Sequence, residues 1–332
     1  MIGYISRRVG YAFLMLFLLT IVVYVIFGLV PIDPAKLSCG VHCNPIVVEA
    51  NRHRLGLDIP LWHQWWNFIV GLFAGRTYGE GAALIHCPAP SFGYSFPNNA
   101  CVTDVMAGAF PFTFSLAIGA FVLWMVVGIS FGIIAARNKG KALDKLSTAF
   151  VLVGSSLPIF ILGLLIYILA FSLNLINPIQ QGSWVSPLSD PIGFFRNFFF
   201  AWITLALAYA AIYTRLTRNN VIETSSEDFI RTARAKGLSE KVILRKHNLR
   251  TSLAPLVTNA GLDFGGLLGG AIITETVFQL PGLGYISLKA VLRDYDLPLI
   301  MGTTLLAASF FIFFNLIVDV AYTYLDPRVR LK

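Results

Sequence analysis

The sequence predicts an all-α membrane protein with six transmembrane helices, a long extracellular loop after helix 1, and a cytoplasmic helix-turn-helix between helices 4 and 5. Three observations carry that prediction. Hydrophobic residues make up 56% of the 332 and charged residues 13%, a balance typical of polytopic membrane chains. Six apolar runs approach or exceed the roughly 20 residues that cross a bilayer. One long stretch, Asp228 to Arg250, is instead basic, with Arg231, Arg234, Lys236, Lys241, Arg245, Lys246 and Arg250.

Composition also excludes several classes. The net charge of +8 fits basic residues gathered on the cytoplasmic side of a membrane, so no nucleic-acid partner is expected. No Gly-x-x-x-x-Gly-Lys-Ser/Thr loop occurs, so the chain has no P-loop for ATP. No histidine falls in a predicted span, and nothing points to proton-relay chemistry. No catalytic residue, cofactor site or metal site is assigned.

Helix 1 is the apolar run Val9–Val30 behind Arg7 and Arg8, about 33 Å long at 1.5 Å per residue. It is too long for a signal-peptide core and lacks a small-x-small cleavage site, so it is read as retained. Residues 31–106 form the extracellular loop. They hold seven prolines, all four cysteines and four of the five histidines. Val47–Arg54 reads as a short helix. Leu61–Phe73 reads as an amphipathic helix with Trp62, Trp65 and Trp66, suited either to the headgroup level or to packing inside a small cap.

The remaining residues, 107–325, read as a five-helix core, followed by a tail at 326–332. Helix 2 is expected near Ala107–Ala136, with Pro111 in its first turn. Helix 3 is expected near Leu146–Leu173, kinked or broken at Pro158. Helices 4, 5 and 6 are expected near Asn197–Thr214, Ser252–Phe278 and Leu299–Leu325. The 215–251 segment is then a soluble loop. Its Gly237 interrupts the helical pattern as an αL residue can, and Ser239 stands where it could N-cap the next helix.

Charge sets the orientation. With the N-terminus cytoplasmic, 18 of the 25 basic residues fall inside, as the positive-inside rule requires. Both termini are then cytoplasmic, in a multi-pass plasma (inner) membrane protein. Cys39, Cys43, Cys87 and Cys101 all fall outside, where oxidation is possible. An even number favours disulfides, although Cys39-Gly-Val-His-Cys43 could also be read as half of a zinc site.

Helix 5 carries Gly261, Gly265, Gly266, Gly269 and Gly270 in small-xxx-small spacings, a pattern that lets helices approach closely. Asp263 and Glu275 lie in the same span, and an ionisable group at membrane depth must face protein or water. Asp263 is read either as a hydrogen-bonding or pairing partner or as a pathway or gate residue, and Glu275 either as a hydrated carboxylate near the outer end or as a pathway or gate residue.

The basic stretch resembles the cytoplasmic "EAA" loop of binding-protein-dependent ABC importer permeases, in particular the B-type subunit of dipeptide/oligopeptide systems. Arg231-Thr-Ala-Arg-Ala-Lys-Gly-Leu-Ser239, then Leu249-Arg-x-Ser-Leu-x-Pro255, carries the likeness. Where the general motif has Glu-Ala-Ala, this chain has Arg231, Thr232 and Ala233. Val30-Pro-Ile-Asp-Pro34, Phe92-Gly-Tyr-Ser-Phe96, Pro281-Gly-Leu-Gly284 and Leu325-Asp-Pro-Arg-Val-Arg330 resemble further family landmarks.

The resemblance implies a translocation-pore subunit that does no covalent chemistry. It implies a heterodimer with a second permease, two ATP-binding subunits that hold ATP and Mg, and an extracellular solute-binding protein. Arg231, Thr232, Ala233, Arg234, Ala235, Lys236, Gly237, Leu238 and Ser239 would couple the pore to the ATPases. Di- or oligopeptides are the expected substrates, with nickel chelates, glutathione or oligosaccharides carried by relatives. A secondary transporter is the rival from another class, but it would need no docking loop. Against the family pattern, Arg76–Ser91 looks like an insertion. A Cys87–Cys101 disulfide would pin it, leaving Cys39 with Cys43, although four cysteines allow three connectivities.

Overall fold

The computed structural model describes residues 2–29, 34–37, 44–54, 57–78, 84–175 and 184–325. Cys39 and Cys43, and the tail at 326–332, lie outside the described residues. Helices dominate: α1 (Ile2–Leu29), α2 (Pro34–Leu37), α3 (Pro45–Arg54), α4 (Leu61–Ala74), α5 (Val102–Arg137), α6 (Ala142–Ser156), α7 (Ile159–Ser172) and α8 (Pro191–Ser225). After α8 come α9 (Asp228–Ala235), α10 (Glu240–Val242), a π-helical turn (Ile243–Asn248), α11 (Leu249–Ser252), α12 (Ala254–Leu268) and α13 (Ile272–Val277). The chain continues through α14 (Leu283–Lys289), a second π turn (Ala290–Asp294) and α15 (Leu297–Leu325).

Among the described residues, four single helices are long and apolar enough to cross a membrane: Ser6–Ile26 in α1, then α5, α8, and Leu297–Val320 in α15. The α6–α7 pair makes a fifth crossing if counted as one bent span. Its break falls at Leu157, extended at ψ 126°, because the proline ring of Pro158 excludes helical geometry from the residue before it.

The expected fifth helix, Ser252–Phe278, is not one helix. It stops at Leu268 and resumes at Ile272. Gly270 has φ +119°, and a Cβ there would stand 2.6 Å from the Gly284 backbone nitrogen. Only glycine fits both conditions, so the glycine run breaks this span as well as packing it.

The 215–251 loop also needs correction. α8 continues through Ser225, so its last turns occupy the start of that segment. Asp190 caps the other end, accepting a hydrogen bond from Gly193 N at 2.9 Å, and Pro191 takes the first helical position, where its missing N–H costs nothing.

The chain divides into two compact units. One is the chain up to Thr113 with Gly269–Ile272 and Pro281–Ile312; the other is Phe114–Leu268, Ile273–Leu280 and the chain from Phe313. In the first unit, Phe68 of α4 is buried with Val23, Met301 and Leu305. Trp65 Nε1 donates to Thr20 Oγ1 at 2.9 Å, while Trp62 and Trp66 stay exposed. The amphipathic helix therefore packs one aromatic edge on α1 and leaves the other outward.

The loop after α4 is not purely helical or irregular. β1 (Arg76–Tyr78) pairs antiparallel with β2 (Ile85–Cys87), and β3 (Tyr94–Ser95) pairs with β4 (Ala100–Cys101). A Cys87–Cys101 disulfide with Cα atoms 5.7 Å apart ties the two ladders. Tyr78 and Phe96 pack beside the bridge.

In the second unit, α5 and α8 approach closely. A Cβ on Gly128 would come within 2.6 Å of Tyr213 Cβ, and one on Gly132 would strike Thr217. At the end of α8, Arg218 Nε and Nη2 donate to Asp144 Oδ1 and Oδ2 at 2.6 and 2.9 Å. Gly140 N also donates to Asp144 Oδ2 at 2.9 Å.

Candidate functional site

The basic stretch folds as a helix-turn-helix beyond α8. Its first helix, α9, ends in a Schellman turn. Gly237 N donates to Arg234 O at 2.9 Å and Leu238 N to Ala233 O at 3.3 Å, with Gly237 at φ +78°. Ser239 precedes α10 with extended dihedrals, but its side chain makes no capping hydrogen bond. The first helix and the π-helical turn enclose a small core of Ile230, Ala233 and Ile243. Arg234 Nε and Nη2 reach across the turn to Glu240 Oε1 and Oε2 at 2.6 and 3.3 Å. That hydrogen-bonded pairing holds the Glu240 carboxyl below its ordinary value and raises Arg234.

The motif is stitched to α8 by amide side chains. Asn248 Nδ2 donates to Val221 O at 3.0 Å and Ser225 Oγ at 2.7 Å. Asn220 Nδ2 donates to Ser252 O at 3.2 Å. Of the nine residues expected to form the coupling segment, only Ala233 is buried. Arg231, Thr232, Arg234, Ala235, Lys236, Gly237, Leu238 and Ser239 are exposed. Phe229, at 42% exposure, and Leu238, at 40%, add apolar contact area to a charged surface. The arrangement is a compact, basic knob with two exposed hydrophobic projections.

The α12 residues divide by role. Gly261 faces Val318 of α15, which a Cβ would strike, whereas Gly266 has nothing within 4 Å. Gly265 is buried and Gly269 lies in the break. Asp263 Oδ2 accepts a hydrogen bond from Tyr213 Oη at 2.7 Å. Glu275 is fully buried in α13, on the other side of the break from Asp263, and so is not the hydrated outer carboxylate its sequence position implied. Among the described residues, no group of three His, Cys, Asp or Glu side chains is placed to hold a metal ion.

Sequence reasoning missed Asn220, Asn248, Ser225 and Tyr213. The only signal for the amides was their presence near the ends of otherwise basic or apolar helices. Gly128 and Gly132 of α5 carry the same small-xxx-small spacing noted in helix 5, and it went unread.

This fold and this exposed loop define the membrane component of an ATP-driven importer. The chain belongs to the family described as binding-protein-dependent transport system inner membrane component, whose profile matches residues 128–331. The profile of that family's N-terminal part matches residues 1–117. Among curated relatives, the glutathione transport system permease protein GsiC of Shigella boydii serotype 4 (strain Sb227) is 36% identical over 334 residues, covering 100% of both chains. The GsiC of Escherichia coli (strain K12) shows the same identity and coverage.

Among solved structures, an inward-facing form of the MetNI methionine ABC transporter superposes with a TM-score of 0.55 at 18% identity, covering 70% of this chain and 99% of that one. That likeness speaks to the fold. The protein is thus a multi-pass inner-membrane permease subunit of a binding-protein-dependent ABC importer, a class that works with a second permease, ATPase subunits and a substrate-binding protein.

Proposed function

We propose that this subunit forms half of a pathway for di- or oligopeptides handed over by an extracellular solute-binding protein. The 228–252 motif docks the ATPase that drives import. The carrying observation is the motif itself. Its internal core, its Schellman turn and the Arg234–Glu240 bridge make it rigid, and its exposed cations and Phe229 and Leu238 make it adhesive. The glutathione name of its relatives supports short peptides as the substrate class, because glutathione is itself a peptide. The N- and C-termini lie in the cytoplasm on this reading, since it puts the docking motif and most of the basic residues on the ATPase side.

The test is reconstitution. The chain should co-purify with a second permease and with ATP-binding subunits. Proteoliposomes holding that complex and its binding protein should take up a radiolabelled tripeptide in an ATP-dependent way. Uptake driven by an ion gradient without ATP would point instead to a secondary transporter.

A further inference from the structure

Helix α12 carries a polar face that this chain leaves open. Asn259 and Gly266 are exposed, and Asp263 between them is half-buried. Asn259 makes no side-chain hydrogen bond with the described residues. Asp263 stands within α12 (Ala254–Leu268), an otherwise mostly apolar helix of a membrane protein. A carboxylate in such a helix is costly unless it meets water or a partner. Tyr213 takes only Oδ2. Oδ1 has no partner among the described residues and is not sealed from its surroundings.

Tyr209 lies one turn before Tyr213 on α8. Its ring stacks on the buried Trp124 at 4.6 Å, and no hydrogen bond occupies its hydroxyl among the described residues. The open face thus offers oxygen acceptors from Asp263 and Asn259. Among the described residues, no cation pairs with Asp263.

We infer that Asp263 receives the protonated amino group of the substrate during translocation. A primary ammonium carries three donors and one positive charge, and it needs acceptors of this kind to leave water. A neutral or acidic group at the same place would leave the carboxylate uncompensated. Tyr213 has a positioning role: its hydrogen bond holds the carboxylate through Oδ2 and leaves Oδ1 without a partner among the described residues. The inference rests on the peptide-import reading and sharpens it, since it selects substrates with a free amine. The competing occupant of the face is a cation of the second permease.

The experiment uses the complete transporter in proteoliposomes, with saturating binding protein loaded with a radiolabelled tripeptide. Asp263→Asn should lower the import rate about tenfold, the order of one lost charge-assisted hydrogen bond. The second permease and the ATPases should still co-purify with it. Asp263→Glu should restore most of the rate. Tyr213→Phe removes only the internal partner and should cost clearly less than Asp263→Asn.

An unchanged rate in Asp263→Asn overturns the inference. So do equal losses in Asp263→Asn and Tyr213→Phe, which would mark a structural pair. Loss of the second permease from Asp263→Asn also overturns it, by showing an ion pair between subunits. A wild-type transporter that imports no tripeptide refutes the peptide reading, and this inference with it.

Discussion

Replacing Gly237 with valine should uncouple the permease without unfolding it. Gly237 has φ +78°, and nothing lies within 4 Å of where its Cβ would stand. The cost is therefore one of backbone conformation and not of collision. An L-residue in the left-handed region costs about 1–2 kcal/mol, and a β-branched one is a genuine outlier there. If the turn opens to relieve this, the 2.9 and 3.3 Å bonds to Arg234 and Ala233 are lost, at about 0.5–1.5 kcal/mol each.

Strain and bond loss are alternative outcomes, so the cost is about 1–3 kcal/mol. At 1.4 kcal/mol per factor of ten, the docking-ready turn becomes about 5-fold to 100-fold rarer. The Ile230–Ala233–Ile243 core and the membrane helices are untouched, so insertion should be normal. Asparagine tolerates the left-handed region, so Gly237→Asn should keep most function. The assays are ATPase co-purification and ATP-driven uptake. Normal values for the valine variant, or an asparagine variant as poor as valine, would refute the reasoning.

Other perturbations have equally definite outcomes. Asp144→Asn strands the Arg218 guanidinium and should cost about 2–3 kcal/mol, the scale of hydrogen bonds to charged groups, read as a lower midpoint of thermal unfolding in detergent; Arg218→Lys should not restore it, because an ammonium lacks the two-pronged geometry. Cys87→Ser removes a covalent closure worth about 3 kcal/mol for a loop of this length. Limited proteolysis should then cut between Leu57 and Cys101 without reductant, while cutting wild type there only with reductant. Because Arg234 lowers the Glu240 value from 4.5, the bridge across the turn is complete above about pH 4.5 and is lost as pH falls through the folded-state value. Spin labels at Ala235 and Lys241 should show a distance distribution that broadens in acid in wild type, and one that is broad at every pH in Arg234→Gln.

The readable parts of this chain were those written in one-dimensional patterns. Long apolar runs marked α1, α5 and α15, Pro158 marked the α6–α7 break, and the basic stretch marked the helix-turn-helix with its turn at Gly237. The break at Gly270 was hidden because glycine has two meanings, close packing and positive φ, and spacing alone favours the first. Three-residue strands such as β1 and β2 are too short to show alternation, so the hairpins of the loop were invisible. The π turn at Ile243–Asn248 adds a residue to a helix without changing its composition. The Tyr213–Asp263 bond joins positions 50 residues apart, and no local signal pairs them.

The amide stitches at the base of α8 have a mechanical consequence. Asn248 and Asn220 bind in opposite directions, each side chain to the other segment's backbone, so the joint resists sliding both ways. α8 has 35 residues, a rod about 52 Å long. Some 18 Å along it from Ser225, by the same rise, Tyr213 makes a second attachment, to α12. The two amide stitches therefore lock α11 to the end of α8, so the helix-turn-helix and α8 move as one piece, while the Tyr213 contact higher up is a single bond that orients one carboxylate.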